Sequence, residues 1–485
     1  MKNIKDFRID LNSDSLENIV KIKESIDIFA NQSSIDALCL ELSTILEIPN
    51  RIIKKKLKQI IYGRFDYYDN SPKFKFNYNL LRSLKYALYF LFFIFFGNLK
   101  KLKKDKKIVG IILDNVEGKY VIEKFNKILS FFKNPLILIK NSDLERNVCN
   151  DSLFFNYQKN NFSNKILKSK KIILLKFLIK LVKTSFQKKI DLTNLFFIIF
   201  YTSLKYYRIF SIFESKYFIH DRIYHTCAVR NYLFKKNGGS KIFCLQSHLA
   251  EGTISVFSDI DILFTFGREK DTEKKLKLLG GDVNQSIPSG SLRMERELKD
   301  GKKFNSVKNI DILFIGINPA IWRGTSKEVL EIYYEQLKWV GEISKKFPAL
   351  KIVNKHHPNF LGDSKETKIF DGSNIKTIIK PEDNLNSYNF LLKSKLILSF
   401  SSTMILEGLS LGKKCFFLDP KLKNTTFFGC LEYLDNIRIS RFDELEGLIK
   451  KNLLDNQEKL TDDNERFCLS HNKTSEVIYR HISSF

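Results

Sequence analysis

The chain has 485 residues, of which 44% are hydrophobic, so it is too long for one ordinary hydrophobic core and too apolar to be intrinsically disordered. Lys and Arg outnumber Asp and Glu by 81 to 54, and the net charge of +27 predicts attraction to phosphorylated ligands, nucleic acid or an anionic membrane. The 7 cysteines are scattered without a CxxC pair, which argues against a zinc site or a disulfide framework. The first residues lack the apolar core of a secretory signal, so we expect a cytoplasmic protein.

Residues 1–104 predict a helical extension, because their apolar residues recur with helical spacing. The longest apolar run, residues 86–97, is too short to span a bilayer. Basic residues flank this run on both sides, which is typical of a segment that lies on an anionic membrane surface. Residues 172–183 combine apolar residues and lysines in the same way. The competing interpretation is that both segments are helices of a hydrophobic core.

From residue 105 onward, short apolar runs alternate with helical patterns, which predicts parallel strands with helices on both faces. We expect residues 105–300 to form the first such domain, in which the apolar block 164–214 either crosses the sheet or faces a membrane. After a polar linker, residues 301–485 repeat the alternation, and we expect them to form a second such domain. The predicted fold is therefore α/β and GT-B-like, with two doubly wound parallel-sheet domains facing a cleft and an N-terminal helical extension.

The clearest chemistry follows strand ends of the C-terminal domain. In Lys355-His356-His357-Pro358, a histidine at the end of a strand can donate a charge-assisted hydrogen bond to phosphate. Ser401-Ser402-Thr403 begins a short helix, and hydroxyls and free N–H groups at a helix N-terminus bind phosphate. Glu407, one turn further along, is placed to accept hydrogen bonds from ribose hydroxyls. Each of these signals alone is more often an ordinary turn or helix cap.

Together, the Lys355-His356-His357-Pro358 turn and the segment SFSSTMILEGLSLGKK at 399–414 resemble motifs of the bacterial surface-carbohydrate and capsule glycosyltransferases. That group includes polysialyltransferases, capsule Kdo transferases and CDP-glycerol glycerophosphotransferases. The resemblance implies that His357, Ser401 and Ser402 hold the donor phosphate, with Glu407 near the nucleotide ribose. It also implies that residues 105–300 are the acceptor domain and residues 301–485 the nucleotide-donor domain.

The resemblance continues in the N-terminal domain, where GGSKIFCLQSHLAEG at 238–252 is similar to a family strand that ends in a Gln-His-Gly turn. This chain reads Gln246-Ser247-His248 there, and the similarity implies that Gln246 and His248 lie in the cleft. The segment SIPSGSLR at 286–293 looks like a later strand of the same domain.

The resemblance implies a metal-independent GT-B glycosyltransferase that moves a sugar from a nucleotide-activated donor, with a CMP-linked acidic sugar favoured, onto a bacterial surface polysaccharide or glycolipid. No cofactor and no nucleic-acid partner are expected, and the enzyme is expected to be cytoplasmic, peripheral on the inner face of the membrane. Two alternatives stay open: a CDP-glycerol-type glycerophosphotransferase, and an enzyme like the nucleotide-sugar 2-epimerases, which would act without an acceptor.

Inverting transfer also needs a base that takes the proton of the acceptor hydroxyl. His357 is a catalytic candidate through its contact with the donor phosphate. The candidates for the base are Asp114 and Glu117, which follow the first strand of the N-terminal domain, and Glu251, near the Gln-Ser-His turn. Acidic residues after a strand are more often helix caps. Asp259-Ile260-Asp261 matches a metal-binding DxD pattern, but it begins a predicted strand rather than ending one, so we expect no metal there.

Overall fold

The fold is known from a computed structural model, in which a stretch of helices precedes two parallel β-sheets. The structure describes residues 16–62, 78–96, 106–116, 119–139, 152–156, 167–222, 226–246, 256–268, 272–299, 309–317, 327–356, 364–378, 387–420, 436–454, 466–469 and 473–485.

The helical extension is confirmed for the described residues between 16 and 96. Its helices are α1 (Leu16–Ala30), α2 (Ser33–Leu46), α3 (Asn50–Tyr62) and α4 (Leu80–Phe96). Helix α3 buries Ile53, Leu57 and Ile60, whose spacing places them on one face. The buried Gln59 on α3 donates to the Phe257 carbonyl at 2.9 Å, which fastens the extension to the next domain. The extension is therefore an integral part of the N-terminal domain rather than a separate unit.

The N-terminal domain contains a seven-stranded sheet with parallel pairing throughout, in the order β4-β3-β2-β6-β7-β8-β9. Its strands are β2 (Ile112–Val116), β3 (Leu136–Ile139), β4 (Leu153–Asn156), β6 (Tyr217–His220), β7 (Lys241–Leu245), β8 (Asp259–Thr265) and β9 (Asp282–Pro288), and β1 (Lys107–Ile108) pairs separately with β5 (Phe213–Glu214). Its helices are α5 (Lys119–Leu129), α6 (Leu167–Lys188), α7 (Leu192–Ile212), α8 (Ala228–Lys236), α9 (Thr272–Leu278) and α10 (Leu292–Lys299).

Successive strand residues point to opposite faces of this sheet, and both faces are buried. Ile112 and Phe218 belong to the hydrophobic cluster that contains the extension, α6 and α7. Leu113 and Ile219, the next residues along the same strands, belong to a second cluster that contains α5. Burial on both faces explains why the strands read as continuous apolar runs. Within the apolar block 164–214, the described residues form mainly α6 and α7, which lie across one of these faces.

The C-terminal domain has a six-stranded parallel sheet in the order β12-β11-β10-β13-β14-β15. Its strands are β10 (Ile310–Ile315), β11 (Ile352–Lys355), β12 (Lys376–Ile378), β13 (Ser394–Ser399), β14 (Lys414–Leu418) and β15 (Arg438–Ile439). Its helices are α11 (Lys327–Lys346), α12 (Ser364–Ile369), α13 (Ser387–Lys393), α14 (Met404–Ser410) and α15 (Phe442–Ile449), which continues into a π-helical turn at Lys450–Leu454. The predicted α/β, GT-B-like architecture of two doubly wound domains is confirmed.

The last helix, α16 (Thr474–Ser483), returns to the N-terminal domain. Its buried residues Ile478 and Ile482 join the cluster formed by α5 and the N-terminal sheet. At the start of α16, the Ser475 backbone N–H donates to Glu295 at 2.8 Å, and Lys127 contacts the same carboxylate at 2.8 Å. The sequence assigns residues 301–485 to the C-terminal domain, but the apolar face of α16 completes the core of the other one.

Candidate functional site

A polar cavity of about 330 Å³ lies where the carboxyl ends of strands from both sheets meet. Its walls come from the chain after β6, β7 and β9 of the N-terminal sheet and after β13 of the C-terminal sheet. The lining residues are Lys124, Asp221, Arg222, Leu245, Gln246, Phe264, Phe266, Ser289, Gly290, Ser291, Leu292, Arg293, Ser401, Ser402, Thr403, Glu407 and Ile478. Strand ends facing a crevice are where open α/β sheets bind ligands.

The turn Ser401-Ser402-Thr403 lies between β13 and α14 and lines the cavity. Ser399 Oγ accepts a hydrogen bond from the Ser402 N–H at 3.0 Å and donates to the Ile315 carbonyl at 3.1 Å, which fixes the turn to β10. Ser402 Oγ accepts from the Met404 N–H at 3.3 Å. The strand end therefore places three partly exposed hydroxyls at the cavity, where the sequence predicts a phosphate; the binding role itself stays a prediction.

Glu407 is buried on α14, and both of its carboxylate oxygens accept from protein hydroxyls. Ser291 Oγ donates to Oε1, and Tyr388 Oη donates to Oε2 at 2.7 Å. Burial raises the pKa of this carboxyl group, and Arg293 and the two hydroxyls act in the opposite direction. Glu407 lines the cavity, and its predicted contact with a ribose stays a prediction. It also ties the turn after β9 to the C-terminal domain.

Arg293, in the first turn of α10, lines the cavity and influences a buried lysine nearby. Lys355 is 3% exposed, and its Nζ donates to the His356 carbonyl at 3.0 Å. Burial, together with repulsion from Arg293, lowers the pKa of Lys355 to about 8. The sequence predicts Lys355 as a donor-phosphate contact, but Lys355 is not among the residues that line the described part of the cavity.

His356 lies at the end of β11 and is directed into the domain interior. It is 1% exposed, and its Nε2 contacts the buried carboxylate of Glu366. Asn354 Nδ2 donates to the same carboxylate at 2.6 Å, and Tyr333 Oη donates to its second oxygen at 3.3 Å. His356 is predicted to bind the donor, yet in the structure it belongs to a buried polar network. The next residue, His357, lies outside the described residues.

The predicted base Asp114 is buried in an ion pair with Arg230, and Tyr206 Oη donates to the same oxygen at 3.2 Å. Asp114 does not line the described part of the cavity, so the geometry favours a structural role for it. The other two predicted carboxylates, Glu117 and Glu251, lie outside the described residues.

Gln246 lines the cavity, as predicted. Its backbone N–H donates to the Phe264 carbonyl at 2.8 Å, and its side-chain oxygen accepts from the Phe266 N–H at 2.8 Å. These bonds hold the chain after β7 against β8. His248, two residues further along, lies outside the described residues.

Two arginines that were not predicted as site residues also line the cavity. Arg222 is the second residue after β6, and its Nε lies 3.3 Å from an Asp221 carboxylate oxygen. Arg293 follows a turn in which Gly290 has a φ of 89°, a conformation that favours glycine. A signal existed in both cases, since each arginine lies shortly after a strand end, but parallel strands end in many charged residues that have no ligand.

A cluster of three or more His, Cys, Asp or Glu side chains able to hold a metal is absent from the described ranges. In the DxD segment, Asp259 begins β8, as predicted. Asp261 accepts from Lys235 Nζ at 2.6 Å and from the Ile242 N–H at 2.9 Å, so both carboxylate oxygens stabilise the sheet.

Comparison with known proteins finds no matching family profile and no matching curated protein. Among solved structures, the chain is similar to the UDP-GlcNAc 2-epimerase of Neisseria meningitidis bound to UDP-GlcNAc, with 12% identity, 78% of this chain and 100% of the other covered, and a TM-score of 0.43. The epimerase of Methanocaldococcus jannaschii gives 17% identity, coverage of 78% and 100%, and a TM-score of 0.42. The wall teichoic acid polymerase TagF gives 12% identity, coverage of 84% and 94%, and a TM-score of 0.43. At these scores, the likeness carries no activity over to this chain.

Proposed function

We propose that the protein is a glycosyltransferase that binds a nucleotide-activated sugar in the cavity between its two sheets and transfers the sugar to a surface glycan or glycolipid. The observation that carries the proposal is the meeting of the Ser401-Ser402-Thr403 turn with Arg222 and Arg293 around one cavity. Hydroxyl and guanidinium groups both donate hydrogen bonds to phosphate oxygens, and the hydrogen bonds from the charged guanidinium groups are the stronger ones.

The charge balance of the cavity supports an anionic donor. Lys124, Arg222 and Arg293 line it together with only two acids, Asp221 and Glu407, among the described residues. A nucleotide phosphate adds negative charge, and a sugar carboxylate would add more, so a CMP-linked acidic sugar remains the favoured donor. Hydrogen-bond donors of the protein that contact the phosphate of the leaving nucleotide would stabilise the charge that develops there in the transition state.

The first test is a thermal-shift screen against CMP, CDP, UDP and GDP, since a ligand that binds only the native protein raises its melting temperature. We expect one of these nucleotides to stabilise the protein and Arg293→Gln to weaken that effect. The absence of stabilisation by all four nucleotides would remove the basis of the proposal.

The second test is a transfer assay. Ser402→Ala and His357→Ala are each expected to lower turnover about 10²- to 10³-fold, the usual cost of one transition-state donor. The exposed Ser484→Ala is the matched control and should leave turnover unchanged. Transfer from CDP-glycerol in place of a nucleotide sugar would indicate a glycerophosphotransferase, and conversion of the sugar without an acceptor would indicate an epimerase. Near-normal transfer by both variants would contradict the assignment of the cavity.

A further inference from the structure

Helices α4 and α6 lie side by side and antiparallel on the outside of the N-terminal domain. At one end, Lys171 Nζ lies 5.8 Å from the centre of the Phe95 ring, and at the other end the Phe186 ring lies 6.2 Å from that of Tyr78. With 17 and 22 residues, the two helices are about 25 and 33 Å long. They form one continuous outer face, the α4–α6 face.

The α4–α6 face exposes large apolar side chains at helical spacing. On α4, Leu81 is 79% exposed and Leu88 64%, and on α6, Ile172 is 72% exposed. Other exposed apolar residues of the face include Leu84, Phe92, Phe95, Leu175, Ile179 and Phe186. Contiguous apolar patches of this kind are uncommon on soluble monomers and mark interaction sites.

The opposite sides of the same helices are already used by the core. Phe90 and Ile94 of α4 and Phe177 and Leu181 of α6 are buried in the cluster that contains α7. Helix α7 is the one described helix that is long and apolar enough to span a membrane, but 72% of its most apolar window is buried inside the domain. The exposed apolar surface therefore belongs to the helices that cover α7.

The positive charge of the α4–α6 face favours an anionic partner. Neither α4 nor α6 contains an Asp or Glu, and Lys85, Lys171, Lys176 and Lys183 are exposed. For Lys176 and Lys183, the described part of the chain contains no ion pair. A second copy of the chain on this face would bring two sets of lysines together, whereas anionic lipid headgroups would neutralise them.

We propose that the α4–α6 face docks the protein onto the surface of a bilayer that contains anionic lipids. The exposed leucines, isoleucines and phenylalanines enter the interface between headgroups and acyl chains, and the lysines contact lipid phosphates. Both helices lie in the plane of the membrane, because their inner sides remain packed on α7. This docking goes beyond the proposed function and does not depend on it.

The test is flotation of the full-length protein with vesicles of phosphatidylglycerol and phosphatidylcholine, compared with phosphatidylcholine alone. We expect binding to the anionic vesicles that weakens in 1 M salt, where the Debye length is about 3 Å. Lys176→Gln/Lys183→Gln should weaken binding about 25-fold, since each lysine near an anionic surface contributes about fivefold. Leu88→Ser/Phe92→Ser should weaken it more than tenfold, because two apolar side chains leave the interface.

Matched controls come from exposed residues elsewhere. Lys274→Gln/Lys277→Gln removes two lysines from α9, and Ile28→Ser/Leu278→Ser removes two apolar side chains that are 70% and 50% exposed. Both controls should bind vesicles like the wild type, and circular dichroism should show all variants folded. The proposal is overturned if the wild type does not prefer anionic vesicles, or if the α4–α6 variants bind as tightly as the controls. A dimer that the α4–α6 variants dissociate, with vesicle binding unchanged, would also overturn it.

Discussion

Lys355→Met should make the protein more stable at neutral pH, although it removes a residue from the neighbourhood of the cavity. Lys355 is 3% exposed, and Met has a similar length without the charge. Burial and the nearby Arg293 lower the pKa of Lys355 from its ordinary 10.5 to about 8. The folded protein therefore holds this proton less tightly than the unfolded chain does.

The size of the effect follows from those two pKa values. Their difference means that the charged Lys355 lowers the free energy of unfolding by roughly 3 kcal/mol. Replacing Lys355 removes this destabilisation, but it also removes the Nζ hydrogen bond to the His356 carbonyl, which contributes about 1 kcal/mol. Below pH 8, the ammonium is charged in both states and its full cost is present. Between pH 8 and 10.5, Lys355 is neutral in the folded state, while the unfolded state still binds the proton. The destabilisation by the buried charge therefore decreases progressively as the pH rises through this range.

We therefore expect the free energy of unfolding of Lys355→Met to be about 2 kcal/mol higher than that of the wild type at pH 7 and about 1 kcal/mol lower near pH 10.5. Urea unfolding of the wild type and the variant from pH 7 to 10.5 measures this difference. Lys338→Met, at a side chain that is 59% exposed, is the control and should show no such crossover. A difference that does not change with pH, or a variant that is less stable at pH 7, would refute the reasoning.

Four further substitutions, one of them a control, test contacts of the C-terminal domain. Glu366→Gln removes the negative charge at the centre of a buried polar network. It should lower the free energy of unfolding, measured with urea, by about 2 to 4 kcal/mol. Unchanged stability would contradict that network. Gly316→Ala would place a Cβ 2.7 Å from Tyr333 Oη and should cost about 1 to 3 kcal/mol, whereas Gly447→Ala, with open space around it, should gain about 0.5 to 1 kcal/mol. Glu407→Ala should lower both the unfolding midpoint and nucleotide affinity in a thermal-shift titration; weaker affinity at unchanged stability would favour a ribose contact alone.

The sequence was sufficient to predict the strands that build the cavity. Residues such as KLILSF at 395–400 and DILFTF at 261–266 lie in strands buried on both faces, and such strands stand out as short apolar runs. The position of Ser401-Ser402-Thr403 followed from the same signal, because the end of a parallel strand fixes where the next residues lie. The local sequence pattern was therefore sufficient to place a residue wherever a single strand or helix determines its position.

The contacts of the predicted residues depend on elements distant in sequence, which local pattern does not specify. His356 is held by Glu366 on α12, and Asp114 by Arg230 on α8, so two side chains predicted for the cleft are buried. The return of α16 to the N-terminal domain is similarly hidden, since its apolar residues fit either core. Burial of a polar side chain requires such a partner, and only the folded chain supplies it.

Arg293 links Lys355, Glu407 and the cavity, although the sequence assigned no role to this last residue of the segment 286–293. Its charge lowers the pKa of Lys355 and acts against the raised pKa of Glu407, so the same guanidinium disfavours a second cation and favours an anion. Glu407 already gives both oxygens to hydroxyl groups, while Arg293 lines the cavity beside the Ser401-Ser402-Thr403 turn. An anion that enters the cavity therefore meets a fixed positive charge next to hydroxyl donors, whereas a neutral ligand of the same size would gain nothing from that charge.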